Sequence, residues 1–141
     1  MARFVRNVGF ALVGLAFVAC GDAAGPKSVG DAEALWQSHN LSSYSYVATH
    51  QCFCLFGPDP VRVEVSQGQV SRVVVVSSGA EIATRGYYTI DELFDWVRSI
   101  TGPATVTYDP TLGYPQRIEI CCLADDSGGI YTVSGLSPAV D

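Results

Sequence analysis

Four thiols carry the chemistry this sequence offers most openly. Cys52 and Cys54 stand one residue apart in HQCFC (50–54), and Cys121 and Cys122 are adjacent in EICCLADD. A zinc site built from four cysteines needs sulfurs that a turn can aim at one point, usually with two to four residues between the cysteines of a pair. Neither pair has that spacing. On a strand Cys52 and Cys54 share a face, whereas Cys121 and Cys122 point to opposite faces, so convergence on one ion would break the strand. Redox catalysis favours C-x-x-C at a helix N-terminus, where the dipole lowers a thiol pKa. CFC instead closes a strand-like run and precedes a turn. His50 shares a strand face with Cys52, which would suit a Cys/His nucleophile, yet no third group is evident to orient the pair. The sequence therefore assigns no metal, no cofactor and no catalytic residue. Disulfides are the expected fate of Cys52, Cys54, Cys121 and Cys122, and the spacing leaves their pairing open. An extracytoplasmic thiol-redox or Cys/His enzyme using the Cys52/Cys54 region is the alternative.

The remaining polar motifs are weaker. Asp109 precedes Pro110, as in a turn where the side chain caps its own backbone. Asp125 and Asp126 lie in a Gly-containing loop without the alternating oxygens of a calcium loop. Tyr44, Tyr46, Tyr87, Tyr88, Tyr108 and Tyr114 are numerous. Tyrosine suits both a binding surface and a sheet–helix interface. Tyr114 joins Arg62, Glu64, Arg117 and Glu119 as the expected binding surface.

The compartment follows from the N-terminus. MARFVRN supplies Arg3 and Arg6, and VGFALVGLAFVA is an apolar run too short to span a bilayer. It ends at Ala19 before Cys20. The segment resembles a bacterial lipoprotein signal, with Phe17 where Leu is usual. Residues 1–19 are the expected signal peptide, 20–30 a flexible tether behind a lipidated Cys20, and 31–141 one domain. A plain secretory signal cut after Ala19 is the other reading. Losing Arg3 and Arg6 makes the chain two charges more negative than its formal −6. An acidic surface disfavours nucleic acid, so the membrane is expected as a partner only through the lipid. Export also places the thiols where disulfides form.

Periodicity supplies the scaffold. DAEALWQSHN (31–40) reads as a helix, and SYSYVATHQCFC as a strand with Tyr44, Tyr46, Ala48, His50 and Cys52 on one face. VRVEVS and VSRVVVVSS flank a QG turn, a hairpin that puts Val61, Val63 and Val65 opposite Arg62 and Glu64. TIDELFDWVRSI opens with a Thr89/Glu92 capping box and carries an apolar stripe. Strand patterns recur at ATVTYDP, QRIEICC and IYTVSGL. The expected fold is α+β, two helices on one face of an antiparallel sheet of about six strands. PVRVEV (60–65) echoes PQRIEI (115–120), which allows an α-β-β-β duplication or a chance repeat.

YSY (44–46), CFC (52–54), VRVEVSQGQV, YYTIDELFDWV and above all TYDPTLGYPQRIEI resemble a family of bacterial lipoproteins, domain of unknown function 6174. The resemblance spans residues 33–136. It implies a small exported or lipidated domain, with no activity, ligand or catalytic residue to transfer. An Asp-containing segment stands in the family where this chain has Cys121 and Cys122. The family pattern thereby implies a local Cys52–Cys54 bond. The functional expectation is a lipid-anchored cell-envelope protein, on the periplasmic or cell-surface side, that binds an envelope protein or ligand without catalysing a reaction.

Overall fold

The computed structural model describes residues 25–52, 59–120 and 128–139. Helix α1 (Val29–Ser38) is followed by strands β1 (Tyr44–Cys52), β2 (Val61–Ser66), β3 (Gln69–Val75) and β4 (Glu81–Ile82). Helix α2 (Ile90–Ser99) then leads to β5 (Ala104–Tyr108), β6 (Pro115–Ile120) and β7 (Gly129–Pro138). All seven strands form one antiparallel sheet in the order β4-β3-β2-β1-β7-β6-β5. The α+β class is as expected. The extra strand is β4, a two-residue edge too short to show a period in sequence.

Alternation decides which face meets the helices. Tyr44, Tyr46 and Ala48 of β1 lie opposite Val65, Val63 and Val61 of β2. All six are buried in one cluster with Val73, Ile118, Tyr131 and Val133, and with Ala32 and Trp36 of α1 and Ile90, Leu93 and Phe94 of α2. A large side chain fully buried in such a cluster contributes about 1.5–3 kcal/mol. Both helices thus cover one face of the sheet.

Helix starts follow their caps. Thr89 accepts from the Glu92 amide while the Glu92 carboxylate accepts from the Thr89 amide, at 3.2 and 2.7 Å, the expected capping box. Helix α1 begins two residues earlier than its apolar period suggests. Ser28 is its N-cap, accepting from the Asp31 amide at 3.1 Å. The expected tether therefore gives way to helix at Val29. Gly25 already packs on the domain, since a Cβ there would lie 3.1 Å from Pro110 Cβ.

The echo between halves is one of strand pattern. Strands β1–β2–β3 and β5–β6–β7 each form a three-stranded meander, and the two lie in the same left-to-right order with strand directions reversed. With both helices on one face, only a reflection would superpose them. Meanders of opposite hand are not copies of one structural unit, so the topology does not support the duplication.

The sheet has two distinct ends. At one, the α1–β1 connection, the β2–β3 turn, the β5–β6 turn and the end of β7 come together. At the other, β1 and β6 end and β7 begins: Cys52 pairs with Gly129, which pairs with Ile120.

Candidate functional site

The stretch TYDPTLGYPQRIEI, on which the resemblance chiefly rests, is a structural clasp. Asp109 follows the end of β5, and its Oδ1 accepts from the amides of Thr111 and Leu112 at 2.9 and 2.7 Å. Its Oδ2 accepts from Gln116 Nε2 at 2.9 Å. The Asp109 amide donates to Tyr114 O, and the Gly113 amide to Asp109 O, each at 2.9 Å. Both carboxylate oxygens thereby serve the turn. Gly113, at φ +83°, lies against α1: a Cβ there would fall 3.0 Å from Trp36 N and 3.1 Å from Leu35 Cβ, and closer still to Ala32 O. His39, the α1 C-cap, places Nε2 3.2 Å from Thr111 O. The turn closes by packing under the first helix.

This packing corrects one assignment. Tyr114 is only 5% exposed and belongs to the hydrophobic core. It follows the glycine that lets the turn fold against α1, so its ring goes inward and is no part of a surface. Tyr44 and Tyr46 are likewise core. The Tyr44 hydroxyl accepts from the Ile90 amide at 2.8 Å, pinning the start of α2 to β1. The Tyr46 hydroxyl donates to Tyr88 O and lies 3.4 Å from the Tyr131 hydroxyl. Burial raises the pKa of all three phenols, that of Tyr131 to about 12. They are neutral structural groups across the physiological range.

Beyond Tyr131 the aromatic layer thins toward the far end of the sheet. Trp96 meets Tyr131 edge-on at 5.8 Å and stacks on Tyr88 at 5.8 Å. His50 packs 5.8 Å from Tyr131. As a residue His50 is exposed, but the side of its ring against Tyr131 is desolvated, and this lowers its pKa. It shares the helix-facing side of β1 with Tyr44 and Tyr46, as expected. Cys52 ends β1 two residues further on. The side chain of Cys52, together with Cys20, Cys54, Cys121, Cys122, Asp125 and Asp126, lies outside the described residues. What the register does give is the approach. The strands leading into the two cysteine segments end with β7 alone between them, about 10 Å apart by strand spacing. Among the described residues no group of three or more His, Cys, Asp or Glu could hold a metal ion.

The opposite face of the sheet is covered by neither helix. Four of the five expected surface residues lie there. Arg62 and Glu64 stand on β2, and Arg117 and Glu119 on β6, with Arg117 Nη2 2.8 Å from Glu119 Oε2. The sequence missed two neighbours, Arg72 and Glu81. Arg72 reaches Glu64 at 3.3 Å and Glu81 at 2.9 Å. Plain alternation from Val70 would turn Arg72 toward the helices. A register shift between Glu64 and Val65 inserts Ser71 and moves Arg72 to the open face. Among the described residues Arg62 is not part of an ion pair.

Between these charged flanks run the two central strands. Ser45, Val47 and Thr49 of β1 pair with Ser137, Ser134 and Thr132 of β7. Thr132 in turn pairs with Arg117 of β6, and Val47 with Arg62 of β2. Over these rows, short side chains on the middle strands and long charged ones on either side make a shallow trough two strands wide, about 10 Å, bounded toward the far end by the Gln51–Ile130 pair.

The fold and this surface define a small α+β domain, one sheet face carrying the core and the other covered by neither helix. Residues 28–138 match the family of unknown function DUF6174, and the chain belongs to that family. No curated protein matches the chain.

Proposed function

We propose that this protein is an exported, lipid-anchored domain of the bacterial cell envelope, held by acyl chains on Cys20, that works by binding an envelope protein or ligand. The observation that carries the binding reading is the open trough. It combines short polar and β-branched side chains with Arg62, which has no ion-pair partner among the described residues, and two arginines already neutralised. Such a surface can desolvate at its centre and remain wet at its rim. Among the described residues no comparable set of convergent catalytic groups stands on it. The anchor reading rests on the n-region, the apolar run and Ala19 before Cys20. An oxidising compartment makes disulfides the expected state of the four remaining cysteines, either as two local bonds or as cross-links between the segments after β1 and β6.

Site-specific photo-crosslinking in cells of the native host tests the binding site. A crosslinker at Thr49 or Thr132, in the trough, is expected to give a discrete adduct. The same group at Ala34 or Gln37, on α1, is expected to give none. Adducts from α1 but not from the trough would move the binding surface to the other side of the molecule.

A further inference from the structure

We propose that the end of the sheet holding the β2–β3 and β5–β6 turns is a membrane-facing surface that rests against lipid headgroups, while the end carrying His50 and the cysteine-bearing segments points away from the bilayer. This proposal deepens the anchor reading and rests on it. Its first support is chain length. Gly25 is packed against Pro110 of the β5–β6 turn, and five peptide units separate it from Cys20. Fully extended, they reach at most about 18 Å. The tether therefore keeps the end where Gly25 is fastened within that distance of the surface.

The opposite end lies further off. Strand β1 runs nine residues from Tyr44 at the tether end to Cys52 at the far end, a rise of about 26 Å. With the strands standing off the bilayer, an acyl chain on Cys20 leaves the Cys52 end of β1 that much further from the surface.

The second support is charge. The described turns at the tether end are residues 39–43, 66–69, 110–113 and 137–139, and none contains an acidic residue. Asp109 borders them, but its oxygens are taken up by two amides of the turn and by Gln116. Lys27 and Asp31 at the helix entry offset each other. Acidic turns would be repelled by anionic lipid; the described turns, carrying Ser, Thr, Asn and Gln, can approach headgroups without that cost.

The end is also knit into one platform. The Gly68 amide donates to Ser42 O at 2.7 Å, the Ala139 amide to Ser43 O at 3.0 Å, and the Gln67 amide to Ser43 Oγ at 3.2 Å. With His39 against Thr111 O, hydrogen bonds join all four turns.

The test places isotope-labelled protein, extracted from membranes, in nanodiscs containing a gadolinium-headgroup lipid, and reads amide signal loss by NMR. Gln67, Gly68 and Thr111 are expected to lose most of their intensity, and His50, Glu81 and Ile130 to keep theirs. Loss centred on His50 or on the open sheet face overturns the proposal, and so does uniform loss along the chain. An intact mass of the same sample reports whether Cys20 is acylated, so a failed anchor is distinguished from a wrong orientation. The Cys20→Ser protein with the same nanodiscs is expected to show no loss; persistent loss at the same turns would mean the lipid is not what presents this end.

Discussion

Replacing Gly113 by Ala tests the reading of the family motif as a clasp on α1. Two penalties meet at this position. A residue with a Cβ at φ +83° costs about 1–2 kcal/mol. The methyl would also press on Trp36 N, Leu35 Cβ and Ala32 O, all from α1. Forcing the helix or turn aside in a packed site adds about 1–3 kcal/mol. The smaller unfolded-state entropy of Ala returns about 0.4–1 kcal/mol. Gly68 supplies the control, because it has a similar φ of +74° and nothing within 4 Å of a Cβ. It bears the conformational penalty without the steric one. Urea unfolding followed by tryptophan fluorescence is expected to show Gly113→Ala losing about 1–3 kcal/mol more than Gly68→Ala. That gap corresponds to a further drop of roughly 4 °C or more in Tm. Near-UV circular dichroism should change for Gly113→Ala alone, since Trp36 stands 5.2 Å from Tyr44 in an edge-on pair. Equal losses in the two variants would refute the close approach of turn and helix.

The tyrosine hydroxyls and His50 give three further outcomes. Tyr46→Phe leaves the Tyr88 carbonyl without its hydroxyl donor and is expected to cost about 1–3 kcal/mol in urea unfolding, against little change for the same substitution at the half-buried Tyr87. The raised phenol pKa values of Tyr44, Tyr46 and Tyr131 keep these groups protonated in the fold when the unfolded chain would release protons. Their contribution is complete below about pH 10 and falls as pH rises beyond it; phenolate absorbance should therefore rise together with loss of circular dichroism for these three. The depressed His50 pKa has the opposite sense. Its contribution is present above about pH 6.5 and is lost as pH falls through the lower folded value, and His50→Gln should flatten the acid limb of a plot of urea midpoint against pH.

Much of the scaffold is legible because its periods are clean. Val61, Val63 and Val65 against Arg62 and Glu64 can satisfy a half-buried sheet in one way only, and β2 takes it. The Thr89/Glu92 capping box locates α2 to the residue. Failures come where local geometry breaks a period. Arg72 changes faces because of the bulge at Ser71, and β4 is too short to carry a pattern. Tyr114 reads as a surface residue because its burial depends on α1, far off in sequence and brought near by Gly113. Pattern alone starts α1 late because Gly30 is a poor helix former, although Val29 continues the Ala32 and Trp36 spacing and Ser28 supplies the cap. For the site, charges on one strand face can be read directly. The trough cannot, since it depends on β1 and β7 becoming neighbours across most of the chain.

The proposed export and lipidation at Cys20 underlie both the expected disulfides and the proposed membrane-facing turns. Intact mass spectrometry of the protein extracted from membranes of its host measures them directly. The expected species begins at Cys20 and is heavier than the polypeptide from that residue by a set of acyl groups, and Cys20→Ser moves the protein out of the membrane fraction. A chain that begins at Met1, or an unmodified Cys20 in soluble protein, would contradict the account.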